Sequence, residues 1–190
     1  MLNIISGGLY YEVPGLRELC HAVKARNKES YIDAAELLAN LIDENGLTGY
    51  TIIPIPNHSG KAEYTLEILK QLKNIRNINI KDCLTSAEHA PMYSIKKDKS
   101  ILHKDDLGFI MHGNINPNKT ILFDNVIGTG TTYFYAMEAT GYNIPLLALS
   151  QSRSDEWYEN KYKEFLYNEN QKLESLYKRI KILERKLHII

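Results

Sequence analysis

Residues 119–132 read KTILFDNVIGTGTT, and this stretch decides how the rest of the chain is read. The run TILF has the length and apolar content of a buried strand, and it ends on an acidic side chain, Asp124. A loop with Gly128, Gly130, Thr129, Thr131 and Thr132 follows, and then a helical pattern, TTYFYAMEAT. Such a loop between strand and helix leaves backbone N–H groups unpaired at the positive end of the helix dipole, a ready site for a phosphate. Glycines at 128 and 130 let the backbone approach an anion without a Cβ in the way. The three threonine hydroxyls add donors. Two common phosphate motifs are excluded: no Lys follows the glycines, as a Walker loop requires, and Tyr133 stands where the dinucleotide fingerprint needs its third glycine. Taken alone, the G-x-G also fits a plain strand-to-helix turn.

Outward from this stretch the pattern is that of an α/β protein. Leu16, Leu19, Cys20 and Val23 recur at helical spacing. Ser30, three residues before Asp33, predicts the start of a second helix, lined by Ile32, Leu37, Leu38, Leu41 and Ile42 and ended by Gly46. YTIIPIP (50–56) predicts a buried strand running into the loop NHSG. A helix with Ala62, Leu66, Leu69 and Leu72 follows, then a strand at INIKDCL (78–84), and a short strand or hairpin arm at LGFIMHG (107–113). IPLLALS (144–150) is a further strand. Strands separated by helices predict a mostly parallel sheet flanked by helices. Right-handed crossovers then place the loops after residues 56 and 124 on one sheet edge, where open α/β sheets take ligands.

The totals agree. At 190 residues, 44% hydrophobic and 24% charged, the chain has enough apolar content for one sizeable core. Lys plus Arg equals Asp plus Glu at 23 each, so no overall charge favours nucleic acid or an anionic membrane. The basic stretch SIKKDKSILHK (94–104) is the exception, and a solvated loop accounts for it equally well. No apolar run approaches the roughly 20 residues of a membrane span. The amino terminus lacks a secretory pattern, and the isolated Cys20 and Cys83 suit reduced thiols, so a cytoplasmic protein is expected. The six histidines show no metal-ligand spacing, and His103 with Asp105 and Asp106 reads as a solvated cluster. Tyr133 and Tyr135 read as packing residues.

The carboxyl-terminal stretch changes character. Leu166, Leu173, Ile180 and Leu187 recur every seven positions, with Leu176, Leu183 and Ile190 in a second seam that Glu169 interrupts. Two narrow seams predict a coiled coil and a homo-oligomer, the alternative being a terminal helix packed on its parent domain. The expected organisation is a domain over residues 1–152 and a helical extension over 153–190.

ILF, Asp124, Asn125, VI and the Gly/Thr loop together resemble the thirteen-residue signature of type I phosphoribosyltransferases. The segments LRELCHAVKARNKESYIDAAELLANLI and TIIPIPNHSGKAEYTLEIL look like corresponding stretches of ComF-type members. The zinc-binding cysteine pairs of longer ComF proteins are absent. The resemblance implies that Gly128–Thr132 hold the 5-phosphate of phosphoribosyl pyrophosphate while Asp124 and Asn125 receive its ribose hydroxyls. It implies that Asn57, His58, Ser59, Gly60 and Lys61 approach the pyrophosphate, and that Mg2+ arrives bound to that pyrophosphate rather than to protein side chains. A nucleoside monophosphate is the corresponding product. Two departures stand out. Asn125 replaces the second carboxylate, and Gly128 replaces the general base of purine-salvage members. Two readings remain: a phosphoribosyltransferase acting on a nitrogen acceptor, or a non-catalytic ligand sensor or DNA-uptake accessory of the ComF kind.

Overall fold

The computed structural model describes residues 2–89 and 107–187. The basic stretch 94–104, His103, Asp105, Asp106 and the seam residue Ile190 lie outside the described residues.

In chain order the elements are β1 (Ile4–Ser6), α1 (Leu16–Lys24), α2 (Lys28–Glu44), β2 (Thr51–Pro54), α3 (Glu63–Ile75), β3 (Asn79–Ile80), β4 (Leu84–Thr85), β5 (Ile110–Met111), β6 (Thr120–Ile127), α4 (Thr131–Thr140), β7 (Leu146–Gln151) and α5 (Asp155–Leu187). Five strands form one parallel sheet in the order β1-β7-β6-β2-β3. β4 and β5 pair antiparallel as a separate two-stranded unit. Residues 120–123 of β6 and all of β7 are buried, as expected of central parallel strands covered on both faces.

Two apolar clusters fill the faces. Leu38, Ile42, Leu69 and Leu72 from α2 and α3 meet Ile52, Ile121 and Phe123 on one side. On the other, Phe134 and Met137 of α4 and Tyr158 of α5 meet Ile53, Leu122 and Leu146. The expected helices and the mostly parallel sheet are present, and β2 and β6 lie side by side with matching direction, so their trailing loops share one edge.

Several local readings are corrected. The cap of α2 is Asn27, whose side chain accepts from the Glu29 N–H at 2.9 Å, while Ser30 sits inside the helix and donates to the Asn27 carbonyl. Ile32 points outward at 51% exposure, so it does not line the packed face. INIKDCL is not one strand: its first part adds two residues to the sheet edge and its end joins the hairpin. β6 does not end at Asp124 but runs on to Ile127, paired with β7 as far as Gln151. β1 was not anticipated, because three residues are too few to show a period.

α5 is 33 residues long. Its opening turns belong to the domain, with Tyr158 buried and Trp157, Tyr162 and Phe165 packed on the second cluster. Leu173, Leu176, Ile180 and Leu183 farther along are exposed. No helix among the described residues is long and apolar enough to cross a membrane.

Candidate functional site

A cavity of about 440 Å³ opens over the carboxyl ends of β2 and β6. That size is within the usual range for small-molecule sites. The sequence candidates Asp124, Gly128, Thr129, Gly130, Thr131, Thr132, Asn57 and His58 line it. Asn125, Ser59, Gly60 and Lys61 are not among its lining residues. Lys24, Tyr64 and His89 line it too, and sequence reasoning did not find them.

The loop takes its shape from backbone demands. Gly130 has φ 76°, and a Cβ there would stand 2.7 Å from the Phe134 ring, so both conformation and packing require glycine. No side chain caps α4, which leaves its opening amides to be satisfied by something other than the usual Ser, Asp or Asn oxygen. The Thr129 and Thr131 hydroxyls are 3.1 Å apart and tie the loop across its mouth. Gly128 differs from Gly130: no atom lies within 4 Å of where its Cβ would be, so neither packing nor a positive φ demands glycine there.

The loop is held from behind by α5. The Tyr158 hydroxyl shares its proton between the Ile127 carbonyl at 2.7 Å and the Gly128 carbonyl at 3.0 Å, and accepts from the Ser152 N–H at 3.1 Å. Burial pushes this phenol up to about 12, so it stays a donor at any physiological pH.

Asp124 lies at the floor. Its Oδ1 accepts from the Asn125 N–H at 2.7 Å. Burial raises its carboxyl to about 6, against the lowering effect of the Lys24 ammonium and of that backbone hydrogen bond. Burial also raises the Tyr64 phenol above its ordinary range, the Asp124 charge adding to the effect. Asn125 is fully buried and turned toward α1. Its Nδ2 donates to the Cys20 carbonyl at 3.2 Å, and its Oδ1 takes no hydrogen bond.

The 57–61 loop satisfies itself. Asn57 Oδ1 accepts from both the N–H and the hydroxyl of Ser59, and the Asn57 N–H donates to the Lys61 carbonyl. Gly60 has φ 80° and sits against Ser86, whose carbonyl would be 2.6 Å from any added Cβ. Only Asn57 and His58 face the cavity, joined by His89, whose N–H donates to the His58 carbonyl. Among the described residues no three His, Cys, Asp or Glu side chains gather as a metal site.

No protein-family model matches the chain, and no curated protein matches it. It is similar to solved structures, including an alanine mutant from a series on an invariant aspartic acid in HPRTs, at 11% identity and a TM-score of 0.41 over 73% of this chain and 70% of that one. A Trypanosoma cruzi hypoxanthine phosphoribosyl transferase gives 11% identity and a TM-score of 0.42 over 72% of this chain and 66% of that one. A Bacillus anthracis hypoxanthine-guanine phosphoribosyltransferase (hpt-2) gives 16% and 0.39 over 66% of each. Likeness at this level leaves the site to be understood from this chain's own residues.

Two outcomes are expected. Tyr158→Phe removes the hydroxyl that donates to the Ile127 and Gly128 carbonyls and accepts from one N–H, and lowers stability by about 1–3 kcal/mol in urea denaturation. Asp124→Asn should stabilise the ligand-free protein. A carboxyl raised to about 6 in the fold, against an ordinary aspartate value of 3.8, costs stability as pH rises through that interval and costs a constant amount above it. The melting temperature of the variant should therefore separate from that of the parent between about pH 4 and 6 and stay offset at higher pH.

Proposed function

We propose that the cavity binds phosphoribosyl pyrophosphate or a nucleoside monophosphate, as in a phosphoribosyltransferase-like protein of the ComF kind. The observation that carries this reading is that the uncapped start of α4 and the Asp124 carboxyl open into one cavity. Helix amides and threonine hydroxyls suit a phosphate monoester, and a carboxylate next to them suits the hydroxyls of the attached sugar.

In the transfer reading, a nitrogen nucleophile bonds to the first carbon of the sugar as the bond to pyrophosphate breaks, and the nitrogen then loses its proton. Gly128, Thr129, Gly130, Thr131 and Thr132 would grip the 5-phosphate, and Asp124 would orient the ribose. His58 and Lys24 line the same cavity and would face the departing charge. Magnesium, where the reaction uses it, would come with the pyrophosphate oxygens, because Asp124 is the one carboxylate among the described lining residues. No step is assigned to it.

The sensor reading draws on two observations. Asn125 spends its amide on Cys20 rather than on the cavity, and Gly128 offers no group to take a proton. Calorimetric titration with phosphoribosyl pyrophosphate separates the outcomes. Binding that is lost in Asp124→Ala supports the site, and an absence of heat at millimolar ligand refutes it. Pyrophosphate release with one member of a nucleobase panel indicates transfer, whereas binding without release across the panel indicates a sensor.

We also infer that the part of α5 beyond Leu166 pairs with a second copy of this chain. Leu173, Leu176, Ile180 and Leu183 keep coiled-coil spacing while exposed at 50% or more, and nothing in the described chain covers them. The protein should sediment as a dimer or larger, and Leu176→Lys with Leu183→Lys should return it to a monomer. A parent chain that sediments as a monomer at micromolar concentration defeats the inference.

A further inference from the structure

We propose that Arg26 and Glu63 form a brace that positions the 57–61 loop, and with it Asn57 and His58, for the pyrophosphate end of a phosphoribosyl ligand. The proposal rests on the phosphoribosyl reading of the cavity and assigns to that site two positioning residues outside its lining.

α1 ends in a turn that prefers glycine. The Arg26 N–H donates to the Val23 carbonyl at 3.0 Å and the Asn27 N–H to the Ala22 carbonyl at 3.1 Å, the paired bonds of a Schellman ending. Arg26 stands at its left-handed position with φ 62°, the one residue other than glycine with a positive φ among the described residues. Side chains are disfavoured there because Cβ crowds the neighbouring backbone. Glycine would serve the turn better, and what arginine adds is its side chain.

That side chain reaches across to α3, where the guanidinium pairs with Glu63 Oε2. Both groups are solvated, at 67% and 36% side-chain exposure, and a pair so placed adds little to stability. A strained backbone position kept for a contact of small value to the fold has its use at the neighbouring site.

Glu63 turns the rest of its carboxylate to the loop. Its Oε2 also lies 3.5 Å from Asn57 Nδ2, and its Oε1 lies 3.2 Å from the Ser59 hydroxyl. Asn57 Oδ1 accepts from the Ser59 N–H at 2.7 Å and from the Ser59 hydroxyl at 2.6 Å. The Asn57 amide is thus held at both ends, its oxygen by Ser59 and its nitrogen by Glu63. The three segments that the brace joins each send a residue to the cavity wall: Lys24 from α1, Asn57 and His58 from the loop, and Tyr64 from α3. A loop fixed before the ligand arrives loses less freedom when it binds.

The test pairs thermal denaturation with calorimetry on the full chain, using phosphoribosyl pyrophosphate and ribose 5-phosphate with magnesium present. Arg26→Gly should melt at or above the parent temperature, because the turn accepts glycine more readily than arginine. It should weaken the pyrophosphate ligand by about threefold to tenfold, the range for one hydrogen-bonded contact of ordinary strength. Glu63→Ala should weaken that ligand by at least as much, since it releases Asn57 and Ser59 as well as Arg26. Ribose 5-phosphate has no pyrophosphate and should bind both variants within about twofold of the parent. A lower melting temperature in Arg26→Gly, an equal loss on both ligands, or an unchanged affinity for the pyrophosphate ligand in either variant overturns the proposal. Each of those outcomes leaves the phosphoribosyl reading intact. Failure of both ligands to bind the parent chain overturns both.

Discussion

The Tyr158 hydroxyl joins four parts of the molecule that otherwise meet only at their ends. It reaches from the first turn of α5 to the last carbonyl of β6 and the first carbonyl of the loop, and takes the N–H that follows β7. The Ile127 carbonyl accepts the Ser152 N–H as well, so β6, β7 and α5 converge on one oxygen. Without this knot the Gly128 carbonyl would lose its partner and the Ile127 carbonyl would keep only the Ser152 N–H, and unsatisfied polar groups away from water are costly. The amides at the start of α4 can face the cavity because the carbonyls behind them are already satisfied. A helix that looks in sequence like an appendage supports, over its opening turns, the loop that lines the cavity.

The charge arrangement follows from how the sheet edge is covered. α1 ends at Lys24, which lines the same cavity as Asp124, while Asn125 faces the same helix through its amide. A carboxyl enclosed in protein resists ionisation, and a single ammonium offsets that resistance only in part. The carboxylate is therefore held above its ordinary range, and hydrogen-bond donors brought to it would favour its charged form. Cys20 and Ser150, whose sulfur and oxygen are 3.4 Å apart, lie buried behind Asn125, while Tyr64 lines the cavity itself. Through Cys20 these contacts tie β6 and β7 to α1.

Much of this was legible in the chain itself. Helical spacing marked α1 through Leu16, Leu19, Cys20 and Val23, and the apolar run TILF followed by Asp124 and a Gly/Thr loop marked the first half of β6 and the turn beyond it. Gly46 closes α2 with φ 63°, as a glycine after a long apolar pattern should. Local signals failed where a position depends on a distant partner. Ser30 and Asn27 both fit a helix start by composition, and only the accepted N–H of Glu29 separates them. The pair Val23–Lys24 carried a trace of the cavity cation, since a lysine ending an amphipathic helix has its charge at the helix's negative pole, but nothing adjacent linked it to Asp124.

Sequence alone determined the class of fold, the strand that carries Asp124 and the Gly/Thr loop after it, because these follow from residues within a few positions of one another. Period, chain direction and the steric freedom of Gly130 are local properties. Tertiary structure alone decided which candidates share the cavity. It turned Asn125 to Cys20, closed residues 59–61 on themselves, and brought in Lys24, Tyr64 and His89. Those outcomes depend on contacts across up to a hundred residues of chain, where burial and charge at one position are set by whatever the fold places opposite.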